Sequence, residues 1–285
     1  MSEQISSKKV KEKKVPKAHD EKEMSFWEHL TELRGTFIRS FTAIFILAIV
    51  AFLNKDFIFT DIILAPKEAD FFTNRLLCTM GQLVGIDYFC IQEYGLKIIN
   101  INMSGQFMTH MYISFVAGFV VAIPYIIYQF WKFIKPALYD MERKSSGSAV
   151  FVISGLFITG VLFSYYMIVP LALNFFGSYQ VSDTVQNQIS LDSYISTVVT
   201  LSVSIGLVFE LPILIYFLAK IGVVSIEFLK KNRKYTLVIV LIIAAIITPP
   251  DVFSQILVAI PLMILYELSI LMARRAIKKA NREKE

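Results

Sequence analysis

Apolar runs near twenty residues long alternate along this chain with short clusters of charge. Six runs predict membrane spans: Gly35 to Leu53, Phe107 to Trp131, Ala149 to Leu173, Tyr194 to Ala219, Tyr235 to Thr248, and Val252 to Met272. A helix rises about 1.5 Å per residue, so twenty residues cross a hydrocarbon core of ~30 Å. Only helices and closed barrels satisfy the backbone in lipid, and these runs lack the alternation of a barrel strand. The pattern therefore predicts an all-α integral membrane protein with six transmembrane helices. The fifth run is short and stops at Thr248-Pro249-Pro250-Asp251. Two prolines cannot continue a helix, so spans five and six form a short hairpin. Either the bilayer thins around that hairpin or its turn is immersed.

Composition agrees: 55% of residues are hydrophobic and 18% are charged, against about 25% charged in a soluble domain. The basic residues flank the apolar runs, where they meet anionic lipid headgroups. The net charge of +5 therefore points to the bilayer and not to nucleic acid. Segments 1–34, 132–148, 220–234 and 273–285 carry 23 of the 28 Lys and Arg residues, while loops 54–106 and 174–193 carry four. The positive-inside rule puts the rich side, with both termini, in the cytoplasm. Residues 1–24, rich in Lys and Glu, read as a disordered cytoplasmic tail without the apolar core of a signal peptide. Residues 25–273 form the membrane domain, and residues 274–285 a basic cytoplasmic tail.

Polar residues inside the spans are the candidate chemistry. Glu210 lies ten residues before Lys220, about 15 Å deep. Two readings stand: a protonated carboxyl bonded to a neighbouring helix, or a docking or proton-linked group facing a polar cavity. Gln255, in the last span, suits helix association; Glu267 lies closer to the cytoplasmic interface. Pro124, Pro170, Pro212 and Pro261 bend or cap their spans. Cys78 and Cys90 both fall in the long outer loop, where a disulfide is allowed; a bridge and two free thiols are the alternatives. No phosphate-binding loop, dinucleotide fingerprint or metal-ligand spacing occurs. The sequence thus calls for no cofactor and no catalytic residue. A secondary transporter would show paired broken helices in two matching halves, and only the C-terminal hairpin is broken here.

Four segments carry a resemblance: Phe26-Trp27-Glu28-His29-Leu30-Thr31-Glu32-Leu33-Arg34 before the first span; Tyr128 to Tyr139, leading to Glu142-Arg143; Phe209-Glu210-Leu211-Pro212; and Thr248-Pro249-Pro250-Asp251-Val252-Phe253-Ser254-Gln255. Together, and in this order, they resemble the TatC family, the multi-spanning receptor subunit of the twin-arginine protein translocase. The resemblance implies a cup-like fold in the bacterial inner membrane and binding of twin-arginine signal peptides on folded cargo. It also implies self-association and assembly with single-span TatA- and TatB-type subunits, driven by the proton-motive force. Carried over by position, Glu32 and Glu142 form an acidic receptor patch shaped by Arg34, Phe133 and Arg143. Glu210 faces the concave side, and Asp251 and Gln255 lie near the partner-docking hairpin.

Overall fold

The computed structural model describes residues 26–84, 97–134, 146–179, 181–182, 187–220, 222–248 and 251–282. The expected N-terminal tail lies outside them. Five helices are long and apolar enough to cross a membrane: Trp27–Leu53, Gly105–Ile134, Ala149–Ser178, Leu191–Ala219 and Val252–Arg275. They fall on five of the six predicted runs and extend past them, because polar residues at the interfaces continue the helices beyond the hydrocarbon. The first two are single helices, α1 (Phe26–Leu53) and α3 (Gly105–Ile134). The third comprises α4 (Ser146–Phe163), a π-helical turn (Ser164–Ile168) and α5 (Val169–Ser178). The fourth comprises α6 (Leu191–Val208) and α7 (Leu211–Lys220). After a short helix α8 (Ile226–Lys231), the predicted fifth run forms α9 (Arg233–Ile247) and the sixth forms α10 (Val252–Arg282). At 15 residues, α9 is about 22 Å long, short of the length expected of a span.

Association in lipid gains little from apolar burial, so spans pack by close backbone approach at small residues. At Gly118 of α3, an added Cβ would lie 2.6 Å from Ala48 N and 2.8 Å from Ile44 O, both backbone atoms of α1. At Gly206 of α6 it would lie 2.7 Å from Val161 Cγ2 and 3.1 Å from Phe157 Cε2 of α4. Gly160 of α4 meets Phe209 and the Gly206 Cα from the other side. These two crossings join the spans in pairs, one with two and three with four.

The α9–α10 pair is an antiparallel hairpin held at both ends. Gln255 Nε2 donates to the Leu241 carbonyl at 2.9 Å, and Arg233 pairs with Glu267 at 2.7 Å. Its turn reaches the end of the third span, where Phe253 stacks on Phe175 with ring centroids 4.2 Å apart.

The long loop between the first two spans has secondary structure of its own. It contains a π-helical segment (Phe57–Ile63), the amphipathic helix α2 (Phe72–Val84) and strand β1 (Lys97–Ile99). β1 pairs in parallel with β2 (Gln188–Ser190) of the next outer loop, so the two loops form one cap. Polar bonds fix that cap to the spans. Tyr194 Oη donates to Ile63 O at 2.8 Å, and Tyr165 Oη to Ile62 O at 2.7 Å. Asn74 Nδ2 donates to Pro66 O and Glu68 O, and Asn174 Nδ2 donates to Asn74 Oδ1. Asp192 accepts from Thr109 Oγ1 and Asn102 Nδ2, both at 2.9 Å, tying spans two and four at the ends nearest the cap. Cys78, in α2, is disulfide-bonded. Cys90, the chain's other cysteine, lies outside the described residues.

Two predictions follow from this packing. Gly118→Ala should destabilise the protein by about 1–3 kcal/mol, the usual cost of overpacking. Gly206→Ala should cost less, because Val161 and Phe157 side chains can shift whereas the α1 backbone cannot. Thermal unfolding in detergent compares them, and a larger loss for Gly206→Ala would refute the reasoning. Intact-mass measurement before and after reduction should show one disulfide. Removing both cysteines should cost about 3 kcal/mol on chain-entropy grounds for so short a loop.

Candidate functional site

The sequence places candidate residues at three levels, and each level is set by a different feature of the fold. The first is the end of spans one and two nearest the chain's start. Antiparallel packing of α1 on α3 brings the first turns of α1 against the last turns of α3. His29 stacks on Phe133 with centroids 4.2 Å apart, and Phe37 meets Phe130 edge-on at 5.5 Å. Glu32 follows one turn after His29, on the α1 face that continues to the buried Thr36 and Ser40; residues three and four apart share a helix face. Its carboxylate is half-buried, and among the described residues no cation pairs with it. Arg34, two positions on, is exposed and lies on a different side of α1, so Glu32 shares the helix face that meets Phe133 through His29 and Arg34 does not. Glu142 and Arg143 lie outside the described residues. His29 is the residue of α1 that meets Phe133 directly, and its spacing of three from Glu32 puts both on one helix face.

The second level is the break in span four. Pro212 has no N–H to donate to the carbonyl four residues earlier, so α6 stops at Val208 and α7 starts at Leu211. Phe209 N still donates to Ile205 O at 2.9 Å, and Glu210 N to Leu207 O at 3.1 Å. Glu210 sits in this tightened turn, beside the Gly160–Gly206 crossing. Both of its carboxylate oxygens are buried, and among the described residues neither makes a hydrogen bond of good geometry, although the Phe157 backbone of α4 lies close enough to interact with the carboxyl. Trp131 Nε1 and Gln129 Oε1 of α3, and Ser154 Oγ of α4, are likewise buried and unpartnered. Trp131 packs on Phe217 of α7 at 6.2 Å. His110 Nε2 of the second span, Ser164 Oγ of the third and Ser202 Oγ of the fourth are also buried without a partner among the described residues, so such atoms are spread along the spans. Leaving such groups unpaired away from water costs about 1–3 kcal/mol each. A largely apolar groove of about 260 Å³, lined by Tyr112, Phe115, Phe119, Thr200, Val203 and Ser204 among others, runs between spans two and four. Ser204 is less than about two helical turns from Glu210.

The third level is the hairpin turn. Asp251 Oδ1 accepts from Ser254 N at 2.7 Å, capping α10, as a carboxylate before a helix should. Its Oδ2 is buried without a partner. Gln255 spends its amide on the Leu241 carbonyl within the chain. Glu267, read from sequence as near water, is the partner of Arg233.

Comparison with known proteins identifies the family. The family model for the Sec-independent protein translocase protein (TatC) matches residues 28–261. The chain is 42% identical over 263 residues to the Sec-independent protein translocase protein TatC of Blattabacterium sp. subsp. Periplaneta americana, covering 92% of this chain and 99% of that one. The TatC protein of Aquifex aeolicus is 36% identical over 260 residues, covering 90% and 97%. TatCy of Bacillus subtilis is 32% identical, covering 91% and 92%. A crystal structure of the twin arginine translocase receptor TatC superposes with a TM-score of 0.68 at 36% identity, covering 88% of this chain and 100% of that one. With the family model spanning most of its length and relatives matched nearly end to end, this chain belongs to the TatC family of Sec-independent protein translocase proteins.

Proposed function

We propose that this chain is the receptor subunit of a twin-arginine translocase, binding paired-arginine signal peptides where spans one and two meet at the cytoplasmic surface. It crosses the inner membrane six times, α9 being the short fifth crossing, and keeps both termini in the cytoplasm. Its spans surround a concave, cup-like face. The observation that carries the reading is Glu32: a half-buried carboxylate with no cation among the described residues, next to the His29–Phe133 stack. An arginine guanidinium forms two parallel bonds to a carboxylate and stacks on aromatic faces, and this group offers both contacts. Glu142 supplies the second carboxylate, with Arg34 and Arg143 at the rim.

Export of folded cargo needs further subunits. Single-span partners of the TatA and TatB type pack against the concave face near Glu210 and against the short hairpin at Asp251 and Gln255, alongside further copies of this chain. The unpaired Glu210 carboxylate supports that placement, since a polar group of a partner helix would relieve its cost. No cofactor or catalytic step is required, and the proton-motive force supplies the work.

Titration of a labelled twin-arginine peptide against protein in nanodiscs tests the receptor site. Glu32→Ala should weaken binding about tenfold, the ~1.4 kcal/mol low end for a bond to a charged partner at a partly wet site. A Lys-Lys peptide should bind the unaltered protein more weakly than Arg-Arg, because an ammonium lacks the planar fork. Equal affinity in all cases would remove Glu32 from the site.

Glu210 is tested by export of a folded reporter. Glu210→Ala should abolish export while the protein remains folded and inserted. Glu210→Gln keeps the hydrogen-bonding capacity: retained export assigns a hydrogen-bonding role, and loss assigns the charge or proton. Full export by both variants would show that the group is incidental.

A further inference from the structure

The outer-loop helix α2 belongs to neither the receptor group nor the hairpin, yet its surface is sharply divided. At 100° per residue, Thr73, Asn74, Leu77, Cys78 and Gly81 fall on one side, and this side is turned into the protein. Arg75, Thr79 and Gln82 fall in a second, exposed and polar sector. Between them lies a third sector, of about 80°, holding Phe72, Leu76, Met80 and Leu83. All four are exposed: Phe72 by 67%, Leu76 by 48%, Met80 by 56% and Leu83 by 82%. A helix resting on a protein in water needs two sectors. Three sectors suit a helix at a boundary between protein, water and a second apolar medium.

The attachment of α2 fixes its height. Thr73 Oγ1 donates to the Tyr166 carbonyl of span three, the acceptor that Pro170 cannot serve in an α-helical ladder. Phe71 stacks on Tyr166 at 5.6 Å and meets Tyr165 edge-on at 5.5 Å. The third span begins at Ala149; a core of ~30 Å takes about twenty residues from there and ends near Val169. Tyr166 therefore sits just inside the far boundary of the hydrocarbon, where aromatic residues concentrate. Tyr166, Met167 and Leu162 are themselves exposed on the flank of the span, so the apolar sector of α2 continues a lipid-facing surface. At 13 residues, α2 is about 20 Å long and too short to cross.

We propose that α2 is an interfacial helix, lying in the leaflet opposite the chain termini with Phe72, Leu76, Met80 and Leu83 in the acyl region and Arg75 among the lipid phosphates. A helix with one apolar and one polar exposed side, and a basic residue at the edge, binds lipid surfaces in this way. Anchored by Thr73 and the Cys78 disulfide, it ties the two-loop cap to the membrane plane. The inference needs only that the chain is embedded, and stands apart from the receptor reading.

Single tryptophans at Leu76→Trp, Leu83→Trp and Gln82→Trp test it, in nanodiscs of phosphatidylethanolamine and phosphatidylglycerol brominated near the headgroup end of the chains. The contribution of Trp27 and Trp131 is subtracted using the parent protein, and unchanged melting shows that each variant is folded. Tryptophan at 76 and 83 should be quenched by brominated lipid several-fold more than at 82, and aqueous acrylamide should show the reverse order. Equal acrylamide access at all three positions, without lipid quenching, would overturn the proposal in favour of a stripe facing water. Shielding from acrylamide without lipid quenching would overturn it in favour of a protein cover, whether a second copy or another subunit.

Discussion

Close backbone approach at three glycines governs how this membrane protein is assembled. Lipid tails are as apolar as leucine, so burying a leucine between helices gains little; what remains is dispersion between surfaces that can touch. Gly118 lets α3 rest on the α1 backbone, and Gly160 and Gly206 let spans three and four cross with Cβ-free contact. The placement of the polar groups follows from these contacts. The α1–α3 crossing sets the register that stacks His29 on Phe133 at one end and Phe52 on His110, at 4.1 Å, at the other. The second crossing lies within four residues of Glu210 and holds the broken turn of span four against span three.

Proline recurs where function or anchoring needs a backbone group. Pro212 ends α6 and leaves Glu210 in a turn tighter than an α-helix. Pro170 leaves the Tyr166 carbonyl for Thr73 of the outer loop. Helix interruptions of this kind persist in membranes only when neighbouring groups satisfy the freed backbone atoms. One interruption is satisfied by the cap, and the other adjoins the buried Glu210 carboxyl, which makes no hydrogen bond of good geometry among the described residues.

Hydrogen bonds lock the loops to the spans at one end of the molecule. On the side of the outer loops, Asn74, Asn174, Asp192, Tyr165 and Tyr194 are each engaged in hydrogen bonds that lock loops to spans. Among the described residues, side-chain atoms buried without a hydrogen bond occur at both ends: His110 Nε2, Asp251 Oδ2 and Ser254 Oγ toward these loops, and Gln129 Oε1, Trp131 Nε1 and the Glu210 carboxyl toward the other.

The helical class, the position of every long run and the proline-ended hairpin were legible in the sequence, because each rests on local rules: hydrocarbon thickness, helix rise, and the missing proline N–H. Glu32, Phe133, Glu210 and Asp251 were legible as candidates because a carboxylate or aromatic at such a position is costly or motif-bound. The number of full-length crossings was less so: α9 stays a short helix, since its partner α10, and not its own length, holds it in place through Gln255 and Glu267. Pairings between distant residues were invisible, among them the β1–β2 ladder, the Thr73–Tyr166 bond and the turn of Arg34 away from Glu32. A sequence states what each helix must hide and how far it can reach. Which neighbour meets each face is decided only when glycine contacts and buried hydrogen bonds fix the register between helices.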